Sequence, residues 1–141
     1  MRTFPERVNF VEVLLGAGLP ASYRSFLSQP FSQPTKLLAV PSSDGELSVR
    51  DFMRLDDGAD YLQLDSTFKR VHDALPSGMA PFATDIADNF YCIVVTGARA
   101  GRVVWWDHER EVGDHHVEDV AASFDDFMSS LTEFSDDDVS S

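Results

Sequence analysis

The sequence predicts an α+β domain, in which an antiparallel sheet of about four to six strands has helices at both ends packed on it. Apolar residues recur at helical spacing near both ends of the chain, and the region between alternates short apolar runs with turn residues. Residues 1–134 fit one domain that can bury a core. We expect the acidic segment 135–141 to be a disordered tail.

Two helices are predicted before the first strand. Val8, Val11, Leu14 and Leu15 lie at helical spacing within 6–15, and Gly16 and Gly18 can end that helix. Pro20 suits the first turn of a second short helix, because its missing N–H has no partner to lose there. The inner face of this helix would consist of Tyr23, Phe26 and Leu27.

The middle of the chain predicts two strands and a helix. Residues 36–40 form an apolar run that favours a strand, and 46–55 alternate as a half-exposed strand does. After a turn at Asp57 and Gly58 the period becomes helical, which predicts a helix over 60–75. Its inner face would carry Tyr61, Leu64, Phe68, Val71 and Leu75.

The second half predicts a meander of strands. Residues 79–84, 90–96, 102–106 and 117–120 are the predicted strands. The glycine-containing connection 97–101 is short, so the two strands that it joins should be antiparallel.

A closing helix is predicted after Ser123, a good N-cap residue. Asp125 and Asp126 in its first turn suit the positive end of the helix dipole. One apolar stripe would run along it through Phe124, Phe127, Met128, Leu131 and Phe134.

The net charge of the chain limits the classes of partner that it can bind. With 24 acidic and 11 basic residues the net charge is −13 at pH 7. Such a surface repels phosphate backbones and anionic lipids, so we expect neither nucleic acid nor membrane as a partner. It attracts basic protein surfaces, and we expect a basic protein partner and a chain that is a monomer or weak dimer. Solubility alone is the alternative explanation of the acidity.

The location expected from the sequence is the cytoplasm. Cys92 is the single cysteine, so no disulfide can form within the chain, and a reducing compartment is the simplest home. The first residues lack the basic start and apolar run of a signal peptide, and no apolar stretch approaches the ~20 residues that span a bilayer.

Catalytic and metal chemistry find little support. Residues 107–116 are rich in carboxylates and imidazoles, as a metal-dependent enzyme would require, but their spacing matches no metal motif. A strand end followed by a polar turn explains the same composition. Cys92 lies in the most apolar strand, where a thiol is a buried hydrophobe and not a nucleophile. We expect no catalytic residue, no metal and no cofactor.

The tryptophan pair indicates where a partner could bind. Neighbours on a strand face opposite sides of the sheet, so one of Trp105 and Trp106 should enter the core. The other is either covered or exposed, and an exposed tryptophan among carboxylates is typical of a binding hot spot. The predicted partner-binding residues are Trp105, Trp106, Asp107, His108, Glu109, Asp85 and Asp88.

Four segments in order resemble one family. They are 19–27 (LPASYRSFL), 81–85 (PFATD), 101–109 (GRVVWWDHE) and 121–127 (AASFDDF). Together they are similar to the Smi-one/Knr-four family of the SUKH superfamily, over nearly the whole chain from about residue 19. That family often has glycines after the aspartate of the second segment, where this chain has Ile86-Ala87-Asp88.

The resemblance implies a binding role without catalytic residues. Bacterial members of the family look like immunity proteins that neutralise a cognate toxin, often a nuclease, and fungal relatives look like regulatory scaffolds in cell-wall signalling. An acidic inhibitor of a basic toxin is electrostatically sensible. Immunity is the favoured hypothesis. A regulatory interaction module and a metal-dependent enzyme that uses 107–116 are the two alternatives.

Overall fold

The computed structural model describes residues 3–42, 45–107 and 116–134. The helices are α1 (Phe4–Leu15), α2 (Ala21–Ser28), α3 (Leu64–Val71) and α4 (Phe124–Ser130), with a 3-10 turn at Asp60–Leu62. The strands are β1 (Leu38–Ser42), β2 (Gly45–Val49), β3 (Asp51–Phe52), β4 (Met79–Thr84), β5 (Phe90–Val94), β6 (Val103–Asp107), β7 (His116–Ala121) and β8 (Thr132–Glu133).

The predicted α+β class is confirmed, but the described strands form two sheets where a single one was expected. The large sheet has the order β3-β4-β5-β6-β7, and the small sheet has the order β2-β1-β8. Every pair of neighbouring strands is antiparallel. The expected tail 135–141 lies outside the described residues.

The predicted strand over 46–55 is divided at Arg50. Its first part is β2, which pairs with β1 in the small sheet, and its second part is β3, which pairs with β4 in the large sheet. Ser48 and Val49 are both buried, so the expected alternation fails at this point. The chain therefore passes from one sheet to the other here, and both faces of the crossing are covered.

The predicted helix over 60–75 is also divided. Arg54 N donates to Leu62 O and Leu64 N donates to Arg54 O, each at 2.7 Å, which forms a parallel bridge to the segment before the helix. These bonds occupy backbone groups that a continuous helix would have used, so α3 begins only at Leu64. Tyr61 consequently does not lie on an inner helix face, and its side chain is 63% exposed.

The closing helix begins as predicted and ends early. The Ser123 hydroxyl accepts a 3.0 Å hydrogen bond from Asp126 N, as an N-cap does. The helix ends at Ser130 because β8 then pairs with β1, and Phe134 N donates to Leu37 O at 2.8 Å. Phe134 is therefore not part of the helical stripe, whereas Phe127 is fully buried as expected.

An aromatic core joins two helices to the large sheet. Phe82 of β4 lies 5.9 Å from Tyr23 of α2, 5.4 Å from Phe124 and 5.0 Å from Phe127 of α4, measured between ring centroids. Edge-to-face ring pairs at these distances stabilise the fold by more than the burial of their apolar area alone would. These ring contacts pack α2 and α4 against the large sheet and so hold the ends of its strands in position.

A buried arginine fastens α2 to the bridge before α3. The Arg54 guanidinium is nearly inaccessible, and it donates to Phe26 O at 3.0 Å and to Leu27 O at 3.2 Å. These carbonyls belong to the last turn of α2, where Phe26 O also accepts a 3.3 Å hydrogen bond from the C-cap residue Gln29. The pKa of Arg54 is lowered from the usual arginine value because burial disfavours the charged form of the guanidinium.

None of the helices in the described ranges has both the length and the apolar composition that a membrane crossing requires.

Candidate protein-binding site

One end of the large sheet brings most of the predicted site together. The connection 85–89 leads into β5, whose first residue Phe90 pairs with Trp106, and the end of β6 pairs with the start of β7 through Asp107 and His116. We call the surface formed by 85–89, Trp105 and Asp107 the sheet end. His108 and Glu109, which follow directly in sequence, lie outside the described residues.

The two tryptophans face opposite sides of the sheet, as the sequence predicts. Trp106 is 3% exposed, and its ring stacks on Phe90 with centroids 6.0 Å apart. Trp105 is half-buried, and its backbone is in register with Tyr91 and Glu118. Trp106 is therefore a core residue that supports the surface, and Trp105 is the ring that reaches it.

Asp85 lies in the interior and organises the sheet end. Its carboxylate accepts hydrogen bonds from Ala87 N and Asn89 N, both at 2.8 Å, and from Asn89 Nδ2 at 3.2 Å. Trp105 Nε1 donates to the same carboxylate at 2.9 Å. Since the residue is only 6% exposed, Asp85 holds the turn in place and does not offer a rim charge to a partner.

The tip of the turn is fixed and displays an apolar side chain. Ile86 N donates to the Ser48 hydroxyl at 3.1 Å, while the Ile86 side chain is 63% exposed. Asp88 has a left-handed backbone (φ 67°), and its N–H donates to Asp85 O at 3.2 Å. A left-handed aspartate and a dense set of hydrogen bonds define a single turn conformation.

Ile86 is not among the partner-binding residues that the sequence predicts, although the structure exposes it beside them. The available signal was an isoleucine inside a polar turn, at a position where the family often has glycine. A β-branched apolar side chain has no conformational reason to occupy a turn. Ile86 is therefore the exposed apolar side chain of a turn whose backbone is held by hydrogen bonds.

Carboxylates outnumber cations at this end. Asp88 is exposed and pairs with Arg50, which also bonds Asp51 at 3.1 Å. The hydrogen bond to Asp88 raises the pKa of Arg50 above its usual value, although burial opposes that shift. Arg50 is thus paired with two neighbouring carboxylates, and Asp107 at the end of β6 and Glu118 within β7 are two further acidic residues on this side of the sheet.

Among the described residues, none is suited to nucleophilic catalysis and no cluster is suited to metal binding. Cys92 is fully buried, and burial raises the pKa of its thiol well above the usual value, so the thiolate is not formed at neutral pH. Within 3–42, 45–107 and 116–134, no group of three or more His, Cys, Asp or Glu residues could hold a metal ion. Of the cluster 107–116, only Asp107 and His116 fall inside these ranges.

The fold is a small α+β domain, in which hydrogen bonds fix the turn 85–89 at the sheet end. Comparison with known families matches residues 5–130 to the SMI1 / KNR4 family (SUKH-1). The match covers most of the chain, so the chain belongs to this family, and the resemblance carried by its four segments is confirmed. Among curated proteins, none matches this chain in sequence.

Proposed function

We propose that this protein is a non-catalytic immunity protein, which neutralises a cognate toxin by binding it through the sheet end. The observation that carries the proposal is the turn 85–89, which displays an exposed isoleucine on a backbone fixed by a buried carboxylate. Membership of the SMI1 / KNR4 family (SUKH-1) supports it, because bacterial proteins of this kind look like immunity proteins.

Preorganisation favours binding at this position. Association has to offset the entropy lost by loops and side chains that become ordered at the interface. The backbone of 85–89 is already held by Asp85 and Ser48, and Trp105 is held by its indole N–H. A partner that covers Ile86 therefore gains the burial of an apolar side chain with little ordering cost.

Charge defines the chemistry of the partner. The carboxylates of Asp88 and Asp107 lie beside the apolar side chains Ile86 and Trp105 and would form an acidic rim. His108 and Glu109, which follow Asp107 in sequence, are proposed as further partner-binding residues. Trp106 and Asp85 support this surface from inside. A rim of this sign matches a basic protein, such as a toxin that acts on nucleic acid. The cytoplasm, where such a toxin would act, is the location that we propose.

Co-expression tests the proposal directly. The chain is expressed with the basic effector domain that a pull-down with this protein identifies, and survival is compared with that of cells that express the effector domain alone. We expect wild type to restore growth and Ile86→Asp to fail. Val13→Asp is the matched control, because Val13 is 70% exposed on α1. If wild type gives no protection against that effector, the immunity role is wrong.

Salt dependence tests the charge argument. Rim charges mainly set the rate of encounter, so raising ionic strength from low to physiological should slow association far more than it changes dissociation. An association rate that does not respond to salt would contradict electrostatic steering. It would leave the apolar contact at Ile86 to be tested separately.

A further inference from the structure

A cleft of about 250 Å³ adjoins the sheet end. It lies between the helical segment 60–71 and the strand ends of the large sheet. Met53, Tyr61, Val71 and Phe90 provide apolar and aromatic walls, and Arg50 and Arg70 provide cationic groups. Asp88 lines it as well, which makes the cleft continuous with the turn 85–89.

The two arginines of the cleft are in different states. Arg50 is paired with Asp51 and Asp88. Arg70 is exposed in the last turn of α3, and it makes no hydrogen bond or ion pair with any residue that the structure describes. Arg70 is therefore the cation of this cleft that can form an ion pair with an anionic group of another molecule.

The cleft is at the small end of the range for ligand sites, which commonly measure about 300–1,000 Å³. Tyr61 is a large apolar side chain that the fold leaves mostly exposed at its wall. One large apolar side chain inserted between Tyr61 and Phe90 would cover it.

We propose that the cleft receives one large apolar side chain of the protein partner, and that an aspartate or glutamate next to it in the partner's sequence pairs with Arg70. This inference rests on the proposed protein-binding function. It adds a requirement on the partner's sequence, namely a large apolar residue with an acidic residue next to it. A partner that is basic overall would present an acidic residue at this one place. In a protein of net charge −13, an unpaired guanidinium beside an aromatic wall is the local feature that selects it.

Two capped dipeptides test the inference by NMR titration of the ¹⁵N-labelled full chain. Acetyl-Phe-Glu-amide and acetyl-Phe-Gln-amide differ only in the charge offered to Arg70. We expect both to shift the amide signals of Val71, Thr84 and Phe90, with the glutamate peptide bound about threefold more tightly, as a partly exposed ion pair allows. Arg70→Gln should abolish the difference. Lys69→Gln, which removes the neighbouring exposed cation of α3 outside the cleft, should preserve it.

Three results would overturn the inference. The first is an absence of shifts at the cleft residues, and the second is equal affinity for the two peptides in wild type. The third is markedly tighter binding of acetyl-phenylalanine with its free carboxylate, which would identify a small-molecule site. If the effector domain binds wild type and Arg70→Gln equally well, the cleft assignment falls while the proposed function stands.

Discussion

The indole Nε1 of Trp105 donates a hydrogen bond of 2.9 Å to Oδ2 of Asp85. This contact ties the end of β6 to the turn before β5, across the same sheet end. Because the carboxylate also accepts from the backbone of Ala87 and Asn89, one buried group sets the position of both Trp105 and Ile86. The proposed contact surface is therefore built on an interior residue.

Asp85→Asn should destabilise the protein by about 2 kcal/mol, because the amide would place a donor where Trp105 Nε1 and Asn89 Nδ2 already donate. The matched control is Asp88→Asn, which removes an exposed carboxylate and keeps a residue that tolerates the left-handed backbone. It should cost no more than about 1 kcal/mol. Urea denaturation compares the two variants. Equal losses would show that Asp85 does not organise the turn.

Phe127→Ala should cost about 3–5 kcal/mol through the cavity that it leaves. The Phe127 ring is fully buried and lies 5.0 Å from the ring of Phe82 and 5.3 Å from that of Tyr91. Ser129→Ala, at an exposed position of the same helix, serves as the control and should change little. A denaturation midpoint unchanged for Phe127→Ala would mean that α4 does not pack on the large sheet.

The sequence could predict elements that depend on local patterns. The helices at 6–15 and after Ser123, and the strands of the meander, follow from apolar spacing, caps and turns. That Trp105 and Trp106 face opposite sides of the sheet follows from strand geometry alone.

What the sequence could not predict depends on contacts between distant segments. The breaks at Arg50 and before Leu64 arise because Thr84 and Arg54 supply backbone partners there, and no local pattern encodes such partners. The interior position of Asp85 likewise depends on Trp105, twenty residues away in sequence. An aspartate in a turn is otherwise expected at the surface.

Thr84→Val should stabilise the protein by about 1 kcal/mol. Thr84 is buried, and its hydroxyl has no hydrogen-bond partner among the described residues, so a methyl group of the same shape removes a desolvation cost. Thr3→Val is the matched substitution with the opposite sign. The Thr3 hydroxyl accepts from Glu6 N at 3.3 Å and caps α1, so this variant should lose about 1 kcal/mol. A loss of stability in Thr84→Val would contradict the argument.

Asp65 should contribute stability that is lost in acid. Burial works against ionisation of its carboxyl, but the hydrogen bonds from Arg7 at 2.7 and 3.0 Å outweigh it, and the pKa of Asp65 is lowered. A lowered folded-state pKa means that the contribution is complete above the ordinary carboxyl pKa of about 3.9 and disappears as pH falls through the folded value.

Asp65→Asn should therefore lower the free energy of unfolding by about 1–2 kcal/mol at neutral pH, and the gap to wild type should narrow toward acid. Ser129→Ala, which replaces an exposed residue that carries no charge, should keep a constant gap to wild type across the same pH series. A gap for Asp65→Asn that is constant with pH would show that ionisation of Asp65 plays no part.

The most direct test of the account is the dissociation constant for the basic effector domain that a pull-down identifies, measured by surface plasmon resonance. Ile86→Asp should weaken binding at least about thirtyfold, equivalent to about 2 kcal/mol, mainly through faster dissociation. Val13→Asp, which places the same charge on α1, should bind as wild type does, after circular dichroism confirms that both variants are folded. Wild-type affinity in Ile86→Asp together with a loss in Val13→Asp would contradict the account, because the contact surface would then be α1 and not the sheet end.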